Sequence, residues 1–454
     1  MSMTASDIVD ALLDELPSDS VVADPDVVDG YRFDRAKTVV PGTPVALVRA
    51  ASTAEVAATL RVASRLGVGV VTRGAGTGLS GGSAAVDGCI TLSTERMREV
   101  RIDASAMVAV AQPGALNVEV KAAARAEGLW YPPDPSSYEI CSIGGNLATN
   151  AGGLCCVKYG VTTDYVLGIE VVLADGTVIR LGGRTIKDVA GLDLKRLFVG
   201  SEGTLGVITE ATLRLRPTPP PAATMVATFA DPVLAGVAVT ATMASLRPSA
   251  LELMDRAAVT AVEAVKPMGL DTSIGALLLG QSDAGDATAA RMAEHAEAAG
   301  ATYVAVTDDP DEGELLMAAR RMAIPCVERL GSVLIEDVGV PIPQIPALLA
   351  AVADIADRHD TAIPVIGHAG DGNFHPLVTF DPMDPAAVAR AEVAFGAVMD
   401  AALELGGTIT GEHGVGSLKA AHLATQIGPD VLALSRRVKQ ALDPQGILNP
   451  GKWL

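Results

Sequence analysis

The feature that most constrains this chain is a glycine-rich run that leaves one strand and leads into another. RGAGTGLSGG spans Arg73 to Gly82 behind the strand-like VGVVTR, and SAAVDGCITLS follows it. Gly76, Gly78 and Gly81 match G-x-G-x-x-G. A dinucleotide-binding Rossmann unit, however, needs a helix straight after the glycines and an acidic residue about 20 positions on. The text after Gly82 reads as turn and strand, so that reading fails. A P-loop fails too, because no Gly-Lys-Ser/Thr follows. Two options remain: a turn without a ligand, or a strand-loop-strand cradle. In a cradle, consecutive backbone N–H groups form a nest for pyrophosphate, and glycines let the backbone approach closely. Two further clusters favour the cradle. PPDPSSYEICSIGGNLATNAGG runs from Pro132 to Gly153, with KYG at Lys158 to Gly160, and GSEGTLGVIT runs from Gly200 to Thr209. Separated segments rich in Gly and in Ser, Thr or Asn suit a long ligand that touches backbone along its length.

Composition bounds the rest. A chain of 454 residues is too long for one core and should hold two or three domains. With 49% apolar and only 3% aromatic residues, the core must be aliphatic and built from small side chains. The net charge of -20 argues against nucleic acid and against electrostatic docking on anionic lipid. No apolar run is long enough for a transmembrane helix. The acidic N-terminus, MSMTASDIVDALLDELPSD, lacks the basic n-region of a signal peptide. Cys89, Cys141, Cys155, Cys156 and Cys326 form no CxxC pair, which suits reduced thiols. The expected location is cytoplasmic, with at most peripheral attachment to a membrane.

Residues 1–40 are expected to form an N-terminal helical segment, with Ile8, Leu12, Leu13 and Leu16 at helical spacing. From 41 to 217 the text is mostly strand, glycine turn and strand, with few helices. STAEVAATLRVASRLG is a helix capped at Ser52/Thr53 and stopped at Gly67, and GIEVVLADGTVIRLGG is a hairpin about Asp175-Gly176. The prolines of RPTPPPAA mark a boundary. From 218 to 454, Ala-rich helices alternate with single strands, as in helices packed on one face of a mostly antiparallel sheet. The fold class is α+β.

Of six histidines, three fall in two tight motifs, GHAGDGNFHP (His368, His375) and TGEHGVG (Glu412, His413). The first reads as strand, turn and strand about Gly370-Asp371-Gly372. In a two- or four-residue loop there, His368 faces Asn373 or His375, and both histidines point to one face. Two imidazoles with a carboxylate from a second Gly-flanked turn make a His2Glu metal site with an open position. The alternative is a hydrogen-bonded pair of core histidines. His295, His359 and His422 sit in helical text of mixed polarity and receive no role.

Together these segments resemble the FAD-linked 2-hydroxyacid dehydrogenases. RGAGTGLSGG, PPDPSSYEICSIGGNLATNAGG, KYGVTTDYVLGIEVVLADG, IKDVAGLDLKRLFVGSEGTLG and LDPQGILNPGK occur in the family's order, over roughly residues 40–454. That family includes the glycolate oxidase flavin subunit, D-lactate dehydrogenase and D-2-hydroxyglutarate dehydrogenase. The resemblance implies a vanillyl-alcohol-oxidase-type FAD-binding domain and a C-terminal α+β substrate domain. It implies that Arg73, Gly74, Ala75, Gly76, Thr77, Gly78 and Leu79 cradle the pyrophosphate of FAD. Pro133, Asp134, Ser136, Ser142, Gly144, Gly145, Asn146, Gly152 and Gly153 would lie along the cofactor. Glu202, Gly203 and Ile208 would lie near its adenosine end. The first loop has no His or Cys, so the flavin should be non-covalent. His368, His375 and Glu412 would hold a divalent metal, with Zn, Mn or Fe suiting the set. His413 would be the base that takes the hydroxyl proton while the α-hydrogen passes as hydride to flavin N5. Arg320, in ARRMAIP, would hold the substrate carboxylate, Asn373 would line the same site, and Lys187 is a weaker candidate beside the flavin.

In 2-hydroxyglutarate dehydrogenases a Thr, a Lys and an Asn hold the second carboxylate. Ungapped alignment puts Ile324, Ile335 and Leu377 at those positions. Three apolar residues would leave a distal carboxylate buried and unpaired. The expected reaction is oxidation of a small D-2-hydroxy acid, D-lactate first, to the keto acid. Glycolate oxidase flavin subunit and D-2-hydroxyglutarate dehydrogenase are the alternatives within the family. Outside it stand a metal-dependent hydrolase, which leaves the glycine segments without a role, and a non-catalytic flavin subunit, which does not need the base. A quinone, a cytochrome or an electron-transfer flavoprotein would take the electrons, and a homodimer is compatible with the sequence.

Overall fold

The computed structural model describes residues 4–454, which divide into two compact units. The first unit contains the chain through Ala151, Val161–Thr218 and Glu412–Leu454. The second contains Gly152–Gly160 and Pro219–Gly411.

In the first unit, helix Ala5–Leu13 begins in a capping box between Thr4 and Asp7 and buries Ile8 and Leu12. Helix Thr53–Leu66 starts where the Ser52 hydroxyl accepts the Glu55 N–H and ends at Gly67, whose φ of 67° only glycine adopts freely. A four-stranded sheet runs in the order Val21–Val22, Ala46–Arg49, Ile90–Ser93, Val70–Arg73. The last two strands are parallel neighbours. Parallel strands need a crossover of a dozen or more residues, usually a helix. Here residues 74–89 make the return journey as a glycine-rich loop. A second, antiparallel sheet takes the order Val100–Asp103, Val108–Ala111, Val207–Arg214, Val166–Val172, Val178–Gly182. Its last two strands are the hairpin expected about Asp175-Gly176, with Thr177 N–H donating to Asp175 Oδ1 at 2.8 Å.

This unit carries more helix than the sequence suggests. Asn117–Ala126 has no Ser, Thr, Asp or Asn before it to signal a start. Instead the Glu119 carboxylate reaches back to the Leu116 N–H at 2.8 Å. Ile143–Thr149 contains a Gly-Gly pair that reads as turn, yet Ser142 caps it. Glu412–Leu454 is tied in by buried polar side chains. Lys439 Nζ donates to Thr204 O at 2.6 Å and Leu448 O at 2.7 Å and pairs with Asp443 at 2.6 Å. Burial lowers the pKa of this ammonium.

The second unit is built on an eight-stranded sheet. Its main path runs Tyr303–Thr307, Ala223–Phe229, Ala276–Ser282, Ala250–Asp255, Val365–His368, Asn373–Phe380, Ser332–Ile335, and Val338–Gly339 pairs beside Asn373–Phe380. Its pairs are antiparallel, as expected of an α+β domain. Helices cover both faces, not one. Helix Asp286–Ala298 brings Met292 against Gly280, where an added Cβ would lie 3.0 Å from its sulfur. Helix Pro310–Arg321 lies on the opposite face, with Gly313 packed so tightly on Thr224 that a Cβ would collide with its hydroxyl. Among the described residues no helix is long and apolar enough to cross a membrane.

Candidate active site

In the first unit the three glycine segments converge, and backbone groups do most of the joining. Ser142 Oγ accepts from Ala75 N–H at 3.2 Å and from Gly145 N–H at 3.3 Å, so the first loop and the start of helix Ile143–Thr149 share one hydroxyl. A Cβ on Gly74 would collide with that hydroxyl, and one on Gly144 would lie 2.6 Å from Pro113 Cβ. Gly76 has φ of 71° and lies beneath the Arg73 guanidinium. That guanidinium donates to Phe33 O and stacks 5.7 Å from the Tyr31 ring, and burial lowers its pKa. Thr77, Gly78 and Leu79 are half-buried and Ala75 is exposed. Gly78 has room of its own: an added Cβ would meet only Asp34 Oδ2, at 3.5 Å. Glycine thus keeps the backbone of this loop bare, which fits close approach by a pyrophosphate.

The second segment is knit by a residue the sequence reading passed over. Asn117 Nδ2 donates to Asn146 Oδ1 at 3.0 Å and to Pro133 O at 3.3 Å. Asp134 is half-buried and Ser136 exposed. Gly152 and Gly153 open the stretch that clusters with the second unit. Ile208 lies opposite Val171 in the antiparallel sheet.

Glu202 is the third segment's anchor. It is buried, and at φ 53° it holds a left-handed conformation just before Gly203. Its carboxylate accepts from Val415 N–H at 2.8 Å and Gly416 N–H at 2.7 Å. Burial pushes its pKa up to about 7, although the two amides pull the other way. The turn that carries His413 is therefore fastened to the cradle. Ser80 Oγ donates to His413 O at 2.9 Å, and Ser417 and Leu418 N–H both donate to Ser80 O at 3.1 Å. Asn449 closes the ring, donating to Gly82 O at 2.9 Å and Glu202 O at 2.6 Å. The His413 imidazole is mostly covered, its Nε2 3.8 Å from Glu412 Oε1. Lys187 lies in an exposed loop. Cys89 is a core thiol packed with Val71 and Ala85, its pKa raised by burial.

The second unit's candidate residues gather on one sheet face. His368 lies opposite Asn373 across a four-residue turn, and His375 lies opposite Ile366, so both imidazoles share a side. Their ring centroids are 5.2 Å apart at 85°. Leu377, two residues on, is on that face, and so is Ile335, its direct partner. Ile324 is half-buried on helix Ala323–Leu330. Continuing the register of Ser332–Ile335 places Asp337 opposite His375. Asp337 Oδ1 is 3.7 Å from His375 Nδ1 and accepts from Asn373 Nδ2 at 2.8 Å, while Oδ2 accepts from Thr410 Oγ1 at 2.7 Å and Gly411 N–H at 2.9 Å. Glu412 is the next residue in the chain.

Arg320 is buried, but a protein carboxylate meets it: its Nε is 2.9 Å from Glu252 Oε2. Neither its Nε nor its Nη2 has a hydrogen-bond partner among the described residues, so the contact with Glu252 is an ion pair and not a hydrogen bond. Glu252 Oε1 lies 2.9 Å from His368 Nδ1. Two buried imidazoles, one oriented by a carboxylate through Nδ1, form a donor set that fits a divalent cation. Sequence reasoning missed Glu252 and Asp337. The available signal was an acid inside an apolar strand run, in ALELMD and in LIEDVGV, because a buried acid must be paired.

Residues 44–182 match the FAD binding domain family, and residues 218–453 match the C-terminal domain family of FAD linked oxidases. The chain is 41% identical over 429 residues to the glycolate oxidase subunit GlcD of Bacillus subtilis, covering 93% of this chain and 91% of that one. It is 36% identical over 432 residues to a D-lactate dehydrogenase of Archaeoglobus fulgidus, covering 93% and 95%. Among solved structures, p-cresol methylhydroxylase superposes with a TM-score of 0.83 at 17% identity, covering 99% of this chain and 96% of that one. The 4-ethylphenol oxidase of Gulosibacter chungangensis gives 0.79 at 20%, covering 99% and 96%. The fold is the two-domain FAD-binding fold of the vanillyl-alcohol oxidase type.

Proposed function

The chain belongs to the FAD-linked oxidoreductases of the glycolate oxidase and D-lactate dehydrogenase family, and from that premise we propose that it oxidises a small D-2-hydroxy acid, D-lactate foremost, to the 2-keto acid. The observation that carries the substrate choice is the apolar stretch of the histidine face. Ile335 and Leu377 lie directly opposite each other, both buried, beside His375. A methyl group suits that surface, whereas a second carboxylate would be buried there without a partner. Glycolate is the second reading, supported by the relatives named glycolate oxidase subunit.

Arg73–Leu79, Ser142, Gly144, Gly145 and Asn146 would hold FAD non-covalently, which when bound would supply the hydride acceptor. His368, His375 and Glu412 would hold a divalent metal, which would supply positive charge beside the substrate. The Glu412 assignment rests on the TGEHGVG pattern. Arg320 gives its Nη2 N–H groups to the substrate carboxylate as charge-assisted donors. His413 takes the proton from the substrate hydroxyl oxygen, which an imidazole of near-neutral pKa can do. Apolar Ile324, Ile335 and Leu377 surround the substrate side chain and exclude water. A quinone, a cytochrome or an electron-transfer flavoprotein would take the electrons.

A panel of D- and L-2-hydroxy acids with a dye acceptor tests this. D-Lactate should exceed D-2-hydroxyglutarate in kcat/KM by about 10- to 100-fold, the effect of burying an unpaired carboxylate. A preference for the diacid would show that the apolar residues do not line the substrate. A yellow protein that no 2-hydroxy acid bleaches anaerobically would instead favour a non-catalytic flavin subunit.

A further inference from the structure

We propose that Glu252 is a positioning residue that sets two parts of the site at once, the metal-facing nitrogen of His368 and the guanidinium of Arg320. The inference rests on the reading given above, in which His368 holds a cation and Arg320 holds the substrate carboxylate.

Glu252 is in the middle of strand Ala250–Asp255, in the apolar run ALELMD, and is 1% exposed. Strand register puts it opposite His368, since Leu253 pairs with Gly367. Oε1 and Oε2 lie 2.9 and 3.0 Å from His368 Nδ1. Oε2 also lies 2.9 Å from Arg320 Nε, on a helix against the same sheet face. Both partners are equally inaccessible: Arg320 is 1% exposed and His368 2%. A buried carboxylate between two such groups is not a solubility feature, and an apolar residue would pack there at no desolvation cost.

The geometry imposes a choice on each partner. A carboxylate beside Nδ1 fixes the proton on that nitrogen and directs the Nε2 lone pair away from the strand, the orientation a metal ligand needs. The same carboxylate pairs by charge with Arg320, Nε 2.9 Å from Oε2 but outside hydrogen-bond geometry, so it holds the guanidinium in place and leaves Nη2 for an anion. Only a carboxylate supplies both the acceptor for His368 and the charge for Arg320. In Glu252→Gln the amide oxygen can still face His368 Nδ1, but the charge that pairs with Arg320 is gone. One arm must fail.

The test uses FAD-loaded protein stripped of metal with a chelator. Zn²⁺ is titrated against a chromophoric competitor, and KM for D-lactate is measured with a dye acceptor after metal restoration. Wild type should bind Zn²⁺, and Glu252→Gln should weaken binding by about 10- to 100-fold or raise KM by a similar factor as the Arg320 arm fails. Glu252→Asp, which keeps the charge, should recover part of whichever is lost; it also replaces Glu252→Gln if that variant does not fold. A role confined to stability would lower the melting temperature and leave both Zn²⁺ affinity and KM at wild-type values, which overturns the proposal. If wild-type protein itself binds no Zn²⁺ or Mn²⁺ in the titration, the metal reading falls first and the His368 arm falls with it. An unchanged KM in Glu252→Gln would then dispose of the Arg320 arm separately.

Discussion

The two units build their candidate sites from opposite materials. In the first, the candidate surface is main chain held in place by a few side chains: the Arg73–Gly82 loop, whose Ala75 N–H donates to the Ser142 hydroxyl, and carbonyls tied by Ser80 and Asn449. In the second it is side chain: His368, His375, Glu252 and Asp337 on one face of an antiparallel sheet with Arg320 from a helix against it, all buried. A site made of backbone must be kept clear of side chains, so it advertises itself as glycine. A site made of buried side chains advertises its outermost residues and hides their supports inside apolar strands.

His413 tests that contrast most severely, because it is a side chain mounted on a backbone-built platform. Its carbonyl, not its ring, is held by Ser80. His413→Ala should therefore keep the turn docked, retain FAD and metal, and lose about 10²-fold or more in kcat, the usual size of a general-base contribution. His368→Ala or Glu412→Ala should lose metal and activity together. Metal analysis with stopped-flow flavin reduction separates these. Retention of metal in Glu412→Ala with loss in His413→Ala would exchange the two roles, and wild-type flavin reduction in both would remove this turn from the chemistry.

Next in size is the cradle itself. Most of its glycines are poor probes, since a Cβ at Gly74 or Gly76 collides with the protein's own atoms. Gly78 is different, with only ordinary contact at 3.5 Å. Gly78→Val should fold normally yet bind FAD about 5- to 150-fold more weakly, from about 1–3 kcal/mol of overpacking against the cofactor. A folded, stoichiometrically yellow variant would show that the backbone there does not approach the ligand.

This asymmetry also explains what could be read from the chain. Asp175-Gly176, Ser52 and Gly67 each act through their own neighbours, and the structure has the elements they announce. The facing of His368 and His375 follows from the period of a strand and is also present. Helix Asn117–Ala126 has no Ser, Thr, Asp or Asn at its cap position and starts on the weaker signal of Glu119 in its first turn, and its first residue acts at long range, joining Pro133 to Asn146. Glu252 and Asp337 find their partners at separations of 116 and 36 residues, which no local pattern encodes. Glu202 could be assigned a place near the cofactor, but its grip on Val415 and Gly416 lies 213 and 214 residues away.

Glu202 gives the subtlest test, because it is the point where a side chain serves the backbone-built site. Burial pushes its pKa from 4.5 up to about 7. The folded protein then holds this proton more tightly than the unfolded chain does. Its contribution to stability is complete below about pH 4.5 and is lost as pH rises through 7. The shift corresponds to about 3.5 kcal/mol at most, by the conversion of roughly 1.4 kcal/mol per unit. Glu202→Gln cannot titrate, so it serves as the reference. The thermal midpoint of wild-type holoenzyme relative to Glu202→Gln should fall between pH 4.5 and 7 and level off above about 7.5. The absolute difference is less informative, because the Gln amide satisfies only one of the two turn amides. The slope isolates the proton. If the Val415 and Gly416 amides outweigh burial, the carboxyl stays ionised and the relative midpoint holds flat or rises with pH over that interval. That outcome would make the turn beneath His413 an anion held by backbone donors, and the contrast between the two units would then extend to charge: a carboxylate satisfied by main-chain amides in one, by Arg320 and His368 in the other.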